Sequence, residues 1–404
     1  MGIQKPDDNL IQIARGSRPD DDSPVAPLRP SAWKVAFVQD CNLHCDYCCT
    51  GHGRFGGKGR YMRPELWMPL SDLIVALSPP DSRIDLEFGG GETFLRFREA
   101  MQFLDHLRRL AAGRKIRVDA RILTNGTVMT PPQLQECLER KITLYFSIDG
   151  PAFRHDAFRK FPNGRPTHRI ALENWRRYRE LVGNAAGPPE CAVATVIAGD
   201  ARLPEIAQFW REQGVKQFKA LPAEPSRFLP SGELQEWQGR RDQYLQDLRA
   251  LAFSEADRLR GRDFETEYEG PLGILLSWRR LKGGAPHRAC GAGYSMLAVD
   301  VDGKLFPCQG FVGFEGRSIG DIHSGVDAAK LEEFRAARLK AQAECKTCWA
   351  GFLCNGGCCA GDPEFGVVLD TWNGCELTKA HVEIAVESFH RWQNHAQPKI
   401  GSPA

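Results

Sequence analysis

The sequence predicts an α/β fold: a partial barrel of six strand–helix units, then a small cysteine-rich domain built on a β-hairpin. Two observations predict the barrel. Apolar runs of strand length alternate strictly with runs of helical period from Trp33 to Leu221. That alternation argues a parallel sheet with right-handed crossovers, and six units leave it short of the closed eight-fold form. Groups able to carry chemistry follow the strand-like runs, where such folds place their ligand sites. A third observation, a field of cysteines from Cys290 to Cys375, predicts the second domain.

The strand-like runs are 33–39, 83–88, 117–123, 142–148, 191–197 and 215–221, and helix-like runs lie near 64–77, 97–112, 131–140, 168–183 and 201–212. Phe97, Met101, Leu104, Leu107 and Leu110 recur at spacings of three and four, one face of a helix. Pro131-Pro132 opens another helix, where proline is tolerated. The chain divides into a polar tail (1–30), the barrel (31–222), a helical bridge (223–285) patterned from Leu234 to Phe253, the cysteine-rich domain (286–378), and a closing helix with a loose tail (379–404).

Composition narrows the function. The 404 residues are 42% apolar and 26% charged, an ordinary globular balance. A net charge of +2 supplies no field for nucleic acid or an anionic membrane. There is no apolar run of about 18 residues and no N-terminal signal pattern. Fourteen cysteines without secretion read as metal ligands rather than disulfides, in a reducing cytoplasm.

Cys41, Cys45 and Cys48 stand at Cys-x3-Cys-x2-Cys directly after the first strand. Three thiolates hold three irons of a [4Fe–4S] cube and leave the fourth open to a small molecule, whereas a zinc knuckle would want a fourth ligand. After the second strand comes Gly89-Gly90-Gly91-Glu92, where glycine permits close backbone approach and the glutamate accepts from an ammonium. After the third is Thr124-Asn125-Gly126, which also reads as a plain turn. After the fourth are Ser147 and Asp149, followed by Arg159; a hydroxyl, a carboxylate and a guanidinium there suit a ribose and a carboxylate.

These motifs resemble the signature of radical S-adenosylmethionine (SAM) enzymes. Tyr47, before the third cysteine, fits, whereas Cys49 and Thr93 stand where that family more often has an aromatic and a proline. The resemblance implies that Cys41, Cys45 and Cys48 bind the SAM-cleaving cluster, and that Tyr47, Gly90, Gly91, Glu92, Asn125, Ser147, Asp149 and Arg159 surround SAM. It also implies reductive cleavage of SAM to a 5′-deoxyadenosyl radical that takes hydrogen from an unactivated carbon.

Farther on, Cys290 and Cys308 flank a hairpin pattern with an Asp302-Gly303 turn, and Cys345-x2-Cys348-x5-Cys354-x3-Cys358 precedes Cys375. A pair of zinc sites would use the same thiolates. The order resembles the SPASM extension, which holds two auxiliary [4Fe–4S] clusters. The resemblance assigns Cys290, Cys308 and Cys358 to the first and Cys345, Cys348, Cys354 and Cys375 to the second. Cys359 makes the Cys358 assignment ambiguous by one residue, and no further cysteine lies between Cys290 and Cys308. Cys137 and Cys191 read as core residues.

SPASM enzymes mostly modify peptides. In the sulfatase-maturing branch an aspartate follows the hairpin cysteine and takes a proton; here the residue is Gln309. The run Phe306 to Gly313 looks more like maturases of ribosomally made peptides. The expected activity is therefore oxidative modification of a precursor peptide, a C–C, C–O or thioether crosslink, by a radical SAM oxidoreductase. A flavodoxin- or ferredoxin-type reductant and a standalone leader-binding protein are the expected further partners. Alternatives are dehydrogenation or epimerisation, sulfatase-type maturation, and a zinc- or cluster-binding protein without catalysis. Gln309 and Asp300 are the candidate catalytic residues beside the hairpin.

Overall fold

The computed structural model describes residues 27–183, 191–197, 202–223, 234–283, 290–354, 356–361, 365 and 375–394. The expectations for residues 1–26 and the final tail, and the side chain of Cys191, lie outside them.

Six parallel strands form the barrel: β1 (Ala32–Gln39), β2 (Arg83–Gly90), β3 (Arg117–Thr124), β4 (Ile142–Ser147), β5 (Cys191–Ile197) and β6 (Gln217–Pro222). They are hydrogen-bonded in chain order, each to the next. The crossovers are α1 (Trp67–Leu77), α2 (Phe97–Ala112), α3 (Pro131–Glu139), α4 (His168–Val182) and α5 (Leu203–Glu212). Helix α3 starts where Thr130 and Gln133 form a reciprocal capping box.

Alternation along the strands separates two faces. Trp33, Val35 and Phe37 of β1, Ile84, Leu86 and Phe88 of β2, and Ile142, Leu144 and Phe146 of β4 are buried under the helices. Burying such a side chain contributes about 1.5–3 kcal/mol. The opposite face lines the lumen and carries Lys34, Glu87, Arg121 and Tyr145, the first three in one register row.

The hairpin, β7 (Met296–Val299) and β8 (Lys304–Phe306), is an extension of the same sheet. β7 lies parallel to β1 on its free edge, and β8 runs antiparallel to β7. The turn is the expected one: Gly303 has φ +83°, and its N–H donates to the Asp300 carbonyl at 3.1 Å.

The bridge contains α6 (Leu234–Arg258) and α7 (Leu272–Leu281). Both pack on a closing helix, α9 (Cys375–Asn394), that begins four residues before the expected 379; α8 (Ala328–Ala341) precedes it in the cysteine-rich part. Trp278 Nε1 donates to Ser388 Oγ at 2.7 Å, and Arg249 pairs with Glu383 at 2.9 Å. Cys375, on α9, is thereby tied to the bridge helices. No helix among the described residues is long and apolar enough to cross a membrane.

Candidate active site and cysteine clusters

At the end of β1 the chain turns on Asp40. Its carboxylate accepts from Cys41 N (3.0 Å), Arg54 Nε (2.9 Å) and the Tyr61 hydroxyl (3.2 Å). Cys41, Cys45 and Cys48 pack as one small cluster with Leu43 and Tyr47. Donors aim at the sulfurs: Leu43 N (3.4 Å) and Asn125 Nδ2 (3.6 Å) at Cys41, and His52 N (3.1 Å) at Cys48. Burial pushes the Cys41 thiol up to about 12 and Cys45 to about 11, and the neighbouring thiols add to both. Three crowded thiols served by N–H donors fit iron well, because a cation between them reverses the repulsion.

The glycine loop is stitched to this turn. Gly91 N donates to the Val38 carbonyl (3.0 Å) and Glu92 N to the Asp40 carbonyl (2.9 Å). A Cβ on Gly91 would sit 2.1 Å from the Asp40 carbonyl oxygen, so only glycine allows the approach. Gly90 takes φ +98°. The buried Glu92 carboxylate accepts from Asn125 N (2.7 Å), Thr124 Oγ1 (3.0 Å) and Phe94 N (3.1 Å). Burial raises it to about 6 despite these donors.

Tyr47 donates its hydroxyl proton to Asp149 and accepts from Arg159 Nη1 at 3.0 Å. All three are buried, and the guanidinium is within charge range of Cys45. Ser147 is half-buried at the end of β4. Tyr47, Asp149 and Arg159 thus meet beside Cys45, and Glu92 and Asn125 meet beside Cys41. Below them, fully buried His155 accepts from Asp149 N (3.3 Å) and bonds Thr167 Oγ1 (3.0 Å).

Burial, with Arg159 and His168 nearby, lowers His155 to about 2, and burial lowers His381 to about 4. Both therefore stay neutral in the folded chain while they protonate below their ordinary 6.5 in the unfolded one. Stability present above pH 6.5 is expected to fall with falling pH, by about 1.4 kcal/mol per pH unit for each histidine. Urea midpoints across pH 7.5 to 5 measure the slope, which His155→Gln makes shallower.

The second cysteine field forms two groups. In the first, the Cys359 thiol is hydrogen-bonded to both Cys290 and Cys308. Its bond to Cys290 lowers its pKa, but the bond to Cys308 and burial prevail and lift it to about 12. Cys358, placed by the sequence reading with Cys290 and Cys308, is exposed while Cys359 is buried. The cause is local packing: Cys359 opens a short turn through Gly361, and Ala360 presses so closely on Gly310 that a Cβ there would lie 2.7 Å away. The turn orientation sends the Cys359 side chain inward. Buried Arg338 flanks the group and donates to the Ala292 carbonyl at 3.1 Å.

In the second group, Cys354 is within charge range of Cys375 and Cys345 and accepts from the N–H groups of Gly356 and Gly357. Cys348 and Cys354 pack with Ala350, Leu353, Val382 and Val386. The described cysteine side chains are all free thiols, and among the described residues no three His, Cys, Asp or Glu side chains are already drawn around a single ion.

The two candidate catalytic residues stand apart from each other. Asp300 Oδ1 accepts from Asp302 N (3.0 Å) and Lys304 N (2.9 Å) and so holds the hairpin turn. Gln309 is exposed at the start of the turn Gln309–Phe311.

Residues 35–199 match the model of the radical SAM superfamily. The chain carries a radical SAM domain. The domain implies SAM and one [4Fe–4S] cluster, and the Cys41–Cys48 loop is the set that fits. A cysteine-type anaerobic sulfatase-maturating enzyme of Clostridium perfringens is 25% identical over 337 residues, which are 79% of this chain and 85% of that one. The solved structure of anSMEcpe with AdoMet and a Cp18Cys peptide superposes with TM-score 0.71 at 20% identity, over 91% of this chain and all of that one. Streptococcus suis SuiB bound to its precursor peptide SuiA gives 0.50 at 16% identity, over 82% of this chain and 72% of that one.

Three structural features near the site escaped the sequence reading. Asp40 anchors the cysteine loop, and its signal was a carboxylate immediately before the first cysteine. His44 and His52 stack at 4.2 Å across that loop, with no signal beyond proximity. The lumen charges sat in plain view, at alternate positions of otherwise apolar strands.

Proposed function

We propose that this radical SAM enzyme oxidatively modifies side chains of a ribosomally made precursor peptide, forming a crosslink. The observation that carries the reading is the pairing of two thiol groups with the SAM-type site: Cys290 and Cys308 flank the β7–β8 hairpin on the edge of the barrel sheet and Cys359 is bonded to both, while Cys345, Cys354 and Cys375 form a second group. These groups, with Cys348, suit two auxiliary [4Fe–4S] clusters of the SPASM type. The relatives support a peptide substrate, one being named for sulfatase maturation and SuiB being solved with a precursor peptide.

The chain's own residues divide the work. Cys41, Cys45 and Cys48 hold the first cluster. Glu92 would take the ammonium of SAM, and Ser147, Asp149 and Arg159 would serve its ribose and carboxylate. With both bound, the site supplies a 5′-deoxyadenosyl radical by one-electron reduction from a flavodoxin- or ferredoxin-type protein. Asn125 and Glu92 stand at the mouth of the lumen, where the apolar collar of Leu123 and Tyr145 limits water near a reactive carbon.

Sulfatase-type oxidation of a Cys or Ser is the second reading, favoured by the name of the C. perfringens relative. Gln309 weighs against it, since an amide takes no proton.

The test is co-expression with a neighbouring short peptide gene under low oxygen, followed by high-resolution mass spectrometry. A loss of two hydrogens that disappears with Cys45→Ser is the expected result, and fragmentation separates a crosslink from an oxidised Cys or Ser. An unchanged mass together with released 5′-deoxyadenosine would move the reading to epimerisation or a small molecule.

A further inference from the structure

Four charged side chains project into the barrel lumen below the cysteine loop, and the radical SAM motifs account for none of them. Lys34 Nζ pairs with Glu87 at 2.5 Å, and Arg121 lies 4.0 Å from the same carboxylate and 3.4 Å from Asp85. Lys219, on β6, completes the set. It stands within charge range of Glu87, Lys34 and Arg121. In a flat sheet β6 would stand five strand spacings from β1, about 24 Å. The curl of the sheet therefore carries Lys219 across the lumen toward the first three strands.

The charges do not balance. Lys34 and Arg121 share Glu87, Lys219 lies only within longer charge range of it, and Asp85 is divided between Arg121 and Arg83. Asp119, one turn of the pleat lower, is taken by Arg83 and Arg117. Among the described residues Lys219 has no carboxylate within ion-pairing distance; it is exposed, and desolvation together with the Lys34 and Arg121 charges outweighs Glu87 and lowers the pKa of its ammonium. The three cations outnumber the carboxylates left to them, so the set carries an excess of positive charge open to an anionic ligand. Its side chain remains accessible to solvent from the lumen.

Above the cations the lumen wall turns apolar. Leu123, two residues on from Arg121 on the same face, is 38% exposed, and Tyr145 is half-buried beside it. A molecule entering the lumen thus meets an apolar collar and then an excess of positive charge.

We propose that Lys219, with Arg121 and Lys34, forms a seat for a substrate carboxylate. The proposal rests on the peptide reading for its biological source, an acidic side chain or a chain terminus, but the seat itself is defined by charge alone. Arg121 lies four residues before Asn125 on an extended strand, about 13 Å from the site mouth. At the same rise per residue, an extended peptide places the carboxylate three to four residues from the carbon that reacts.

The experiment is calorimetric titration of the cluster-loaded chain with SAM present, at low salt. Four probes are compared: glutarate, acetyl-Ala-Ala-Glu-amide, acetyl-Ala-Ala-Ala with a free carboxylate, and acetyl-Ala-Ala-Ala-amide. A carboxylate probe is expected to bind at least about tenfold more tightly than the neutral amide, the factor one charge-assisted pair supplies. Lys219→Met and Lys219→Gln should remove that factor, and Glu87→Gln, which frees Lys34, should enlarge it. Circular dichroism confirms that the variants fold. Preference between the second and third probes assigns the source to a side chain or a terminus. Equal binding of the neutral amide, no binding of any carboxylate, or a factor unchanged in both Lys219 variants overturns the seat. Glutarate binding that depends on Lys219, with neither acidic peptide bound, keeps the seat and instead counts against a peptide substrate, which co-expression tests independently.

Discussion

Cys45→Ser is expected to lower 5′-deoxyadenosine release from SAM by at least about 10³-fold, which corresponds to about 4 kcal/mol of lost catalysis. Cys45 is one of three thiols in the loop after β1 and the one nearest the Arg159 charge. A serine oxygen at that position is a hard, poorly ionised ligand, and two remaining thiolates do not hold a cube. The iron content should fall by about four atoms per chain, while iron bound by the second cysteine field stays. Anaerobic iron analysis and chromatographic detection of 5′-deoxyadenosine read both quantities. Release at the wild-type rate would sink the radical reading; loss of all iron would show that the loop supports the whole fold rather than one site.

The second large effect separates adjacent cysteines. Cys359→Ser is expected to remove about four irons of the auxiliary complement, whereas Cys358→Ser should leave it unchanged. The argument is geometric. Cys359 is buried and bonded to Cys290 and Cys308, and Cys358 points to the surface. Removing one of three thiolates leaves Arg338 buried without the anionic charge it faces, so the Cys359 variant should also lose stability, by about 1–3 kcal/mol. Electron paramagnetic resonance of the reduced variants distinguishes the missing cluster. Iron lost from Cys358→Ser and retained in Cys359→Ser would reverse the assignment.

Most of the barrel was legible in the sequence because period is a local property. The expected 97–112 helix and 191–197 strand match the observed bounds, and the other elements shift by a few residues at their ends. The Gly-Gly-Glu loop, Asn125 and the Tyr47–Asp149–Arg159 set were legible because each follows a strand. Cys359 was not. Spacing favours Cys358, and only the packing of Ala360 on Gly310, a contact fifty residues apart, turns its neighbour inward. Asp300 has a second role that position alone does not show: its Oδ1 accepts from the backbone of the hairpin turn. The lumen seat was hidden because its members come from four strands, and no linear window contains them.

Strand β1 has one more consequence. Cys41 lies two residues past its last, Gln39, while Met296 is paired with its first, Ala32, and the Cys290 and Cys308 loops gather at that starting end through Gly293, whose N–H is shared by the Met296 and Pro307 carbonyls. The two thiol groups therefore sit at opposite ends of one ruler of eight residues. Backbone pairing to β7 along its first half, and to β2 on the other flank with one register shift between Val35 and Val38, holds it in the sheet. The spacing of the two thiol groups is therefore set by that strand rather than by whatever occupies the lumen.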